Sequence, residues 1–378
     1  MKGVSIREVK TRRDLRRFIY LPAAIHKGDH LWLPPIWSDD RTLFDRKKNN
    51  SFAYADAVMY LAERDGMDVG RIMGIISHRY NELRGEKDGR FCFIEAYDDR
   101  EVISEMIDAV ARWAKERGMT SLVGPLGFSD KDPQGLQVEG FEFPSLITTP
   151  TNSKYIPEII ERLGFIKKTD LVDYQVDIPK TLPPLFEKIL QKFEGSNQFE
   201  VLEFGSTKEL KPLIIDVLEL MNETFTEIYG FVPLTDREKT ELAKRYLPLL
   251  DPAFIKMVRT EGRLVGFAIG MPDISEGIKK AGGRLFPFGI IHIIRSARKT
   301  DNLIMMLGGI AKEFRGQGLD VLMGTRILKS AWQKGMKTID SHLVLETNSR
   351  MRAEYERMGG RIIRRFRIYQ KELGNGER

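Results

Sequence analysis

The stretch that decides the fold reads Leu303-Ile304-Met305-Met306-Leu307-Gly308-Gly309-Ile310-Ala311-Lys312-Glu313-Phe314-Arg315-Gly316-Gln317-Gly318-Leu319-Asp320. Residues 303–310 are apolar or glycine and read as a strand. Beyond Asp320, the apolar residues Val321, Leu322, Ile327, Leu328, Ala331 and Trp332 recur at the spacing of an amphipathic helix. Between strand and helix lies a loop with glycines at 316 and 318. Strand, glycine-spaced loop and helix N-terminus together present backbone N–H groups to a phosphate, and glycine lets the backbone approach the anion closely. Arg315 adds a charged donor. Taken alone, the pattern also fits a tight turn with no ligand, so the surrounding sequence has to decide.

Outward from this loop the chain repeats itself. Asp65-Gly66-Met67-Asp68-Val69-Gly70-Arg71-Ile72-Met73-Gly74 is similar to Glu261-Gly262-Arg263-Leu264-Val265-Gly266-Phe267-Ala268-Ile269-Gly270, each an acidic-Gly turn between two strands. Thr151-Asn152-Ser153-Lys154 matches Thr347-Asn348-Ser349-Arg350. Each is followed by a helical stretch, ending in Glu161-Arg162-Leu163-Gly164 and Glu356-Arg357-Met358-Gly359. Asp65 to Glu261 and Thr151 to Thr347 are the same 196-residue step. Between the landmarks lie helices expected at 102–118 and 320–335, and the copies close with strands expected at 167–178 and 361–371. Each copy reads hairpin, strand, helix, strand, helix, strand. Two mixed α/β domains of one design are expected, 1–178 and 179–378, joined at Pro179-Lys180-Thr181-Leu182-Pro183-Pro184.

Composition bounds the rest. The 378 residues are 42% hydrophobic and 30% charged, ordinary for a folded chain of two domains and against disorder or collagen. Apolar stretches such as 303–311 fall short of the roughly 18 residues of a membrane-spanning helix. No apolar stretch follows the basic residues of 1–17, so a secretory signal is not expected. The single cysteine, Cys92, leaves no internal disulfide and argues against Cys-ligated zinc, which points to a reducing, cytoplasmic setting. Charge is uneven: residues 1–178 hold 27 Lys/Arg against 29 Asp/Glu, and residues 179–378 hold 33 against 25. The basic half suits a phosphorylated ligand or an anionic membrane surface, and equally a plain solvated surface.

The loop and the sequence beyond it resemble the GCN5-related N-acetyltransferase (GNAT) superfamily, whose pyrophosphate loop reads [Q/R]-x-x-G-x-[G/A]. Arg315 fills the first position and Gly318 the fourth, while Asp320 replaces the final small residue. A second family pattern, N-x-x-[AM]-x-x-x-Y-x-x-x-G, is met by Asn348, Met351, Tyr355 and Gly359. The resemblance implies an α/β (α+β) fold of two tandem GNAT-like domains, each a mixed, mostly antiparallel sheet flanked by helices. It also implies a coenzyme A thioester, acetyl or longer, as co-substrate. Its expected contacts are Gly308, Gly309 and Ile310 on the strand, Arg315, Gly316, Gln317, Gly318, Leu319 and Asp320 in the loop, and Asn348. Tyr355 is the expected general acid toward the departing thiolate, a role its phenol suits because the two groups have similar basicity. The first copy lacks these features. Its loop position, Phe91-Cys92-Phe93-Ile94-Glu95-Ala96-Tyr97-Asp98-Asp99-Arg100-Glu101, is acidic and without glycine, and the place of Tyr355 falls at Ile159 or Ile160.

Longer strings, among them Ile25-His26-Lys27-Gly28-Asp29-His30-Leu31-Trp32-Leu33-Pro34-Pro35, Gly124-Pro125-Leu126-Gly127-Phe128-Ser129-Asp130, Gly140-Phe141-Glu142 and Gly283-Arg284-Leu285-Phe286-Pro287-Phe288-Gly289, resemble the bacterial ceramide synthase-like N-acyltransferases. That implies acyl transfer from a thioester to an amine, with the amine of a long-chain sphingoid base as one acceptor. Left open are a small polar or peptide amine, an acyl carrier protein as donor, peripheral contact with an anionic inner membrane, and a binding protein without turnover. An amine acceptor must lose a proton, and Glu346 is the first candidate base, with His342, Asp340 and His292 beside it. No metal is expected: His26 and His30 are four apart, but Gly28 lies between them and no carboxylate completes the set. The closing stretch Arg361-Ile362-Ile363-Arg364-Arg365-Phe366-Arg367-Ile368-Tyr369-Gln370-Lys371 mixes arginine with aromatics as nucleic-acid proteins do. Its partial alternation fits a final strand instead, so no nucleic-acid partner is expected.

Overall fold

The computed structural model describes residues 3–195, 197–247 and 250–374. The repeated acidic-Gly motifs are two-residue hairpin turns. Asp65 and Gly66 have φ of 51° and 80°, and Glu261 and Gly262 have 48° and 79°. Two successive positive φ values make a turn whose twist matches that of the strands it joins. The first turn links β2 (Ala55–Arg64) to β3 (Met67–Ser77), which follow the short β1 (Ser5–Glu8). The first half continues with β4 (Asp88–Ala96), β5 (Ser121–Gly124), β6 (Leu136–Glu139) and β7 (Ile166–Asp177). The second half repeats the series as β8 (Glu200–Leu202), β9 (Ile255–Thr260), β10 (Arg263–Pro272), β11 (Asn302–Ile310), β12 (Thr338–Asp340), β13 (Val344–Leu345) and β14 (Arg361–Glu372).

These strands form one 14-stranded sheet in the order β1-β2-β3-β4-β5-β14-β7-β12-β11-β10-β9-β8, with β6 on β14 and β13 on β7. The order reads alike from both ends. Each half's closing strand is exchanged: β14 pairs with β5 and β6 of the first half, and β7 with β12 and β13 of the second. β7 and β14 pair with each other at the centre. The two copies are therefore welded through their last strands rather than laid side by side.

Helices cover the sheet. Arg100–Lys115 turns Val102, Ile103, Met106, Ile107, Val110 and Ala114 onto it, the three- and four-residue spacing of one helical face. Burial of such side chains contributes roughly 1.5–3 kcal/mol each. Gly70 and Gly74 recur as Gly266 and Gly270, and the first pair explains the recurrence. A Cβ on Gly70 would come within 2.9 Å of Met106 and Val102, and one on Gly74 within 2.9 Å of Val110. The strand is bare so that the helix can sit close. The helix Leu319–Gln333 covers the second half in the same way.

One element has no counterpart. Between β10 and β11 the second half carries two helices, Ser275–Lys280 and Gly289–Lys299. Between β3 and β4 the first half has only the short helix His78–Arg84. Residues 26–37 reach this insertion: Trp37 donates from its ring N–H to the Gly282 carbonyl at 2.8 Å, and from its backbone to the Gly283 carbonyl at 3.1 Å.

Candidate active site

β11 and β12 run parallel but pair only at Asn302–Ile304 with Thr338–Asp340. β12 then ends, and β13 joins β7 instead. From Met305 to Ile310, β11 is paired on its β10 side alone, and the register slips between Ile269 and Gly270 so that Met306 has no partner. A bulge of this kind turns a strand and frees peptide groups. The parted strands thus leave a cleft lined by the open edge of 305–310, which includes Gly308, Gly309 and Ile310. Gly309 has little room behind it, since a Cβ there would meet Phe267 and Thr224 at 2.8 Å.

At the end of β11 the loop turns through Gly316 and Gly318, with φ of 80° and 90°. Gly318 is the N-cap of Leu319–Gln333, and among the described residues no side chain caps that helix. Its first N–H groups and the positive end of its dipole therefore face outward beside the loop. Arg315 braces the loop: its Nε donates to the Ile310 carbonyl at 3.1 Å and its Nη2 to the Thr224 carbonyl at 3.2 Å. Gln317 donates to the Glu313 carbonyl at 3.1 Å. The side chain of Leu319 is buried in the second-half core, so only its backbone faces the loop.

Asp320 does not cap the helix. Its carboxyl hydrogen-bonds with that of Glu354 on the next helix, Ser349–Arg357. Burial, with the charge and hydrogen bond of Asp320, raises the Glu354 carboxyl to about 7, against the pull of Arg350 and Arg357. Nothing in the sequence singles out Glu354, because the contact joins two helices that pack only in the fold.

Tyr355, the next residue, stacks on Tyr174 with ring centroids 5.4 Å apart and planes 9° from parallel. It packs between the cluster holding Leu303, Ile327 and Ile339 and the cluster holding Val172 and Val344. Burial, helped by the charges of Glu354 and Asp173, pushes its phenol well above the ordinary value. The phenol therefore stays protonated at neutral pH and is a weaker acid than the match in basicity expected from the sequence. Asn348 is the N-cap of the same helix and accepts from the Met351 N–H at 3.2 Å.

Glu346 lies at the seam of the halves. Its Oε1 accepts from the Asp170 N–H at 3.0 Å and its Oε2 from Lys167 Nζ at 3.0 Å. Asp340 accepts from Gln175 at 3.1 Å and Asn302 at 3.0 Å. Burial lowers the basicity of His342.

No family model matches the sequence. Over 377 residues the chain is 28% identical to the bacterial ceramide synthase of Caulobacter vibrioides (strain NA1000 / CB15N), covering 98% of each chain. It is 25% identical to protein YghO of Escherichia coli (strain K12), covering 97% of this chain and 95% of that one. A tandem GNAT protein from the clavulanic acid biosynthesis pathway matches 99% of this chain and 100% of its own, with a TM-score of 0.56 at 12% identity. The chain has the tandem GNAT fold.

In this tandem GNAT arrangement the two halves differ where the loop stands. The first-half helix Arg100–Lys115 is capped by Asp99, whose carboxylate accepts from the N–H groups of Glu101 at 3.0 Å and Val102 at 3.2 Å. Arg64 pairs with the same Asp99 at 2.8 Å. A carboxylate of the protein thus holds the place that is open in the second half. Asn152, the counterpart of Asn348, does not cap a helix; it accepts from the Gln137 N–H at 2.6 Å. His26 stacks on Trp32 and its Nε2 lies 2.8 Å from Glu95 Oε2. Among the described residues no group of three or more His, Cys, Asp or Glu is placed to hold a metal ion, and no helix is long and apolar enough to cross a membrane.

Proposed function

We propose that the protein is an N-acyltransferase that takes the acyl group of a coenzyme A thioester in the second half, 179–378, while the first half, 1–178, holds no co-substrate and walls the acceptor side. The observation that carries this is the uncapped helix N-terminus behind Gly316 and Gly318 at the mouth of the parted strands. The residues fit a diphosphate: backbone N–H groups of 316–320 with Arg315 at the loop, and Asn348, on the helix that carries Glu354, would be a further contact. The bare edge of Gly308, Gly309 and Ile310 would run beside the pantetheine and polarise the thioester carbonyl through a backbone N–H. The amine nitrogen forms the new C–N bond as the C–S bond breaks, and Tyr355 gives its proton to the sulfur. The proton lost by the amine passes to water, with Glu346 as the candidate acceptor once Lys167 releases it.

Full-length similarity to a bacterial ceramide synthase favours a long-chain amine, such as a sphingoid base, over a polar or peptide amine. The protein would then work in the cytoplasm against the inner membrane. The Asp320–Glu354 pair favours one variant of this reading, in which an acyl carrier protein is the donor, because that donor brings no second phosphate or nucleotide to the loop. The test is turnover of acetyl- and palmitoyl-coenzyme A, and of palmitoyl carrier protein, with a sphingoid base and with a polar diamine. Palmitoylation of the sphingoid base is the expected outcome. Turnover only with the diamine would overturn the lipid acceptor. No turnover, together with no thermal stabilisation by any thioester, would overturn the enzyme reading; a ligand at about 100 times its Kd stabilises by roughly 2.7 kcal/mol.

A further inference from the structure

The helix pair between β10 and β11 carries the most exposed large apolar side chains of the described residues. Phe286 is 76% and Phe288 67% exposed, and Ile290, Ile291 and Ile294 stand out from the helix Gly289–Lys299 beside them. At 100° per residue these three isoleucines share one arc of the helix, and Ile293, on the flank of that arc beyond Ile290, is buried. Exposed apolar side chains gathered along one stretch in this way mark an interaction site rather than the singly scattered hydrophobics of an ordinary surface.

The patch is set among cations. Between 275 and 299 the sequence has six Lys/Arg against one acidic residue, Glu276. Arg295, Arg298 and Lys299 are exposed on the same helix, and by the helical step Arg298 falls between Ile294 and Ile291. Arg284, just before Phe286, lines a shallow hollow together with Arg13, Arg16, Arg17 and Tyr20. Aromatic and branched aliphatic residues ringed by arginine and lysine match the two layers of a bilayer surface, acyl chains beneath anionic headgroups. Long cationic side chains lie along such a boundary with their stems in the apolar layer and their charges in the headgroups. Two copies meeting through this face would instead bring guanidinium groups together.

We propose that this face docks the protein on an anionic lipid bilayer, with Phe286, Phe288, Ile290, Ile291 and Ile294 entering the headgroup boundary. The inference rests on the acyl-transfer reading only for its purpose, the delivery of an amphiphilic substrate. Packed apolar side chains join this face to the cleft: Ile293 packs with Met271, Ile274 and Ile278, and Met306, the bulged residue of β11, packs against that same cluster.

The experiment is sedimentation with vesicles of phosphatidylcholine alone and with about 30 mol% phosphatidylglycerol, for the full chain and two variants, Phe286→Ser/Phe288→Ser and Arg284→Glu/Arg298→Glu. The unaltered protein should pellet with the anionic vesicles, and each variant should bind them at least about tenfold less. Thermal stabilisation by coenzyme A, measured in parallel, should be the same in all three and shows that the variants are folded. Equal binding to neutral vesicles, no binding by the unaltered protein, or variants that bind unchanged would overturn the proposal. So would a stable dimer that the Phe286→Ser/Phe288→Ser change dissolves. Absence of coenzyme A stabilisation in the unaltered protein counts against the acyl-transfer reading and leaves the vesicle result to stand by itself.

Discussion

Asp173 on β7 and Arg364 on β14 face one another as register partners across the centre of the sheet, fully enclosed, where the two exchanged strands meet. Arg364 donates to Asp173 from Nη1, and its Nη2 reaches the Pro144 carbonyl at 2.7 Å. Ser341 adds a hydrogen bond to Asp173 at 3.3 Å. Burial still raises the Asp173 carboxyl to about 7 against those partners. A buried pair is worth little against apolar replacements, yet removing one member strands the other's polar groups. Arg364→Met should therefore cost about 3–5 kcal/mol in denaturant unfolding, and Asp173→Leu with Arg364→Met should recover much of that loss. Because the pair lies between strands given by opposite halves, both halves should unfold in one transition. Two separate transitions in the unaltered protein would refute the coupling.

Tyr355→Phe removes one oxygen and keeps the ring on Tyr174. If the phenol protonates the thiolate, kcat should fall by about 10²–10⁴. Coenzyme A affinity and thermal stability should change little, since no core contact is lost. The burial that raises this phenol also predicts no loss of its proton on the basic limb up to pH 10. A kcat that is unchanged at every pH would remove Tyr355 from the chemistry.

Much of this fold was legible in the chain, because the features that carried it are local. The acidic-Gly turns need positive φ at two residues, and glycine-spaced loops and helix caps need particular residues at particular steps. The 196-residue step between the copies therefore located the hairpins and closing strands within a residue or two. The exchange of β7 and β14 was not legible. A strand's residues say which faces are buried and not whose neighbour it is. The same limit hid Glu354, which looks like a solvated helix residue until the helix beginning at Leu319 is packed beside it. Arg315 was legible as a loop cation, while its bond to the Thr224 carbonyl depends on a helix far away in sequence. Phe286 and Phe288 were read only as part of a family resemblance, since a short apolar run between glycines looks the same buried or exposed.

The two loop glycines separate backbone strain from crowding. Both have φ near the left-handed region, so alanine at either costs about 1 kcal/mol. A Cβ at 316 meets nothing within 4 Å, whereas one at 318 would come within 2.7 Å of Ile189 Cγ2. Gly316→Ala should thus weaken coenzyme A binding by no more than about tenfold. Gly318→Ala must also push away the helix Pro184–Leu190 and should weaken binding further, with a fall in Tm of several degrees. Calorimetric titration of both variants reads this directly, and equal losses would show that the contact with Ile189 does not shape the loop.

The carboxyl pair beside the loop sets a pH dependence with a definite sign. Glu354 holds its proton to about 7 in the folded protein, against an ordinary value of 4.5. Between these values the folded state binds more protons than the unfolded chain at this group, so the contribution of Glu354 to stability is greatest below about 4.5 and is lost as pH rises to 7. The whole effect is bounded at about 3 kcal/mol. A bound diphosphate adds negative charge next to the pair and favours its protonated form, so coenzyme A should bind more tightly at pH 6 than at pH 8. Glu354→Gln cannot ionise. It should be more stable than the unaltered protein at pH 8, with a smaller pH effect on coenzyme A binding. The ligand's own phosphate titration is common to both proteins and cancels in the comparison. Identical pH profiles for the two would mean that Asp320 and Glu354 do not share a proton, and that the carboxylate of Asp320 stands away from the diphosphate.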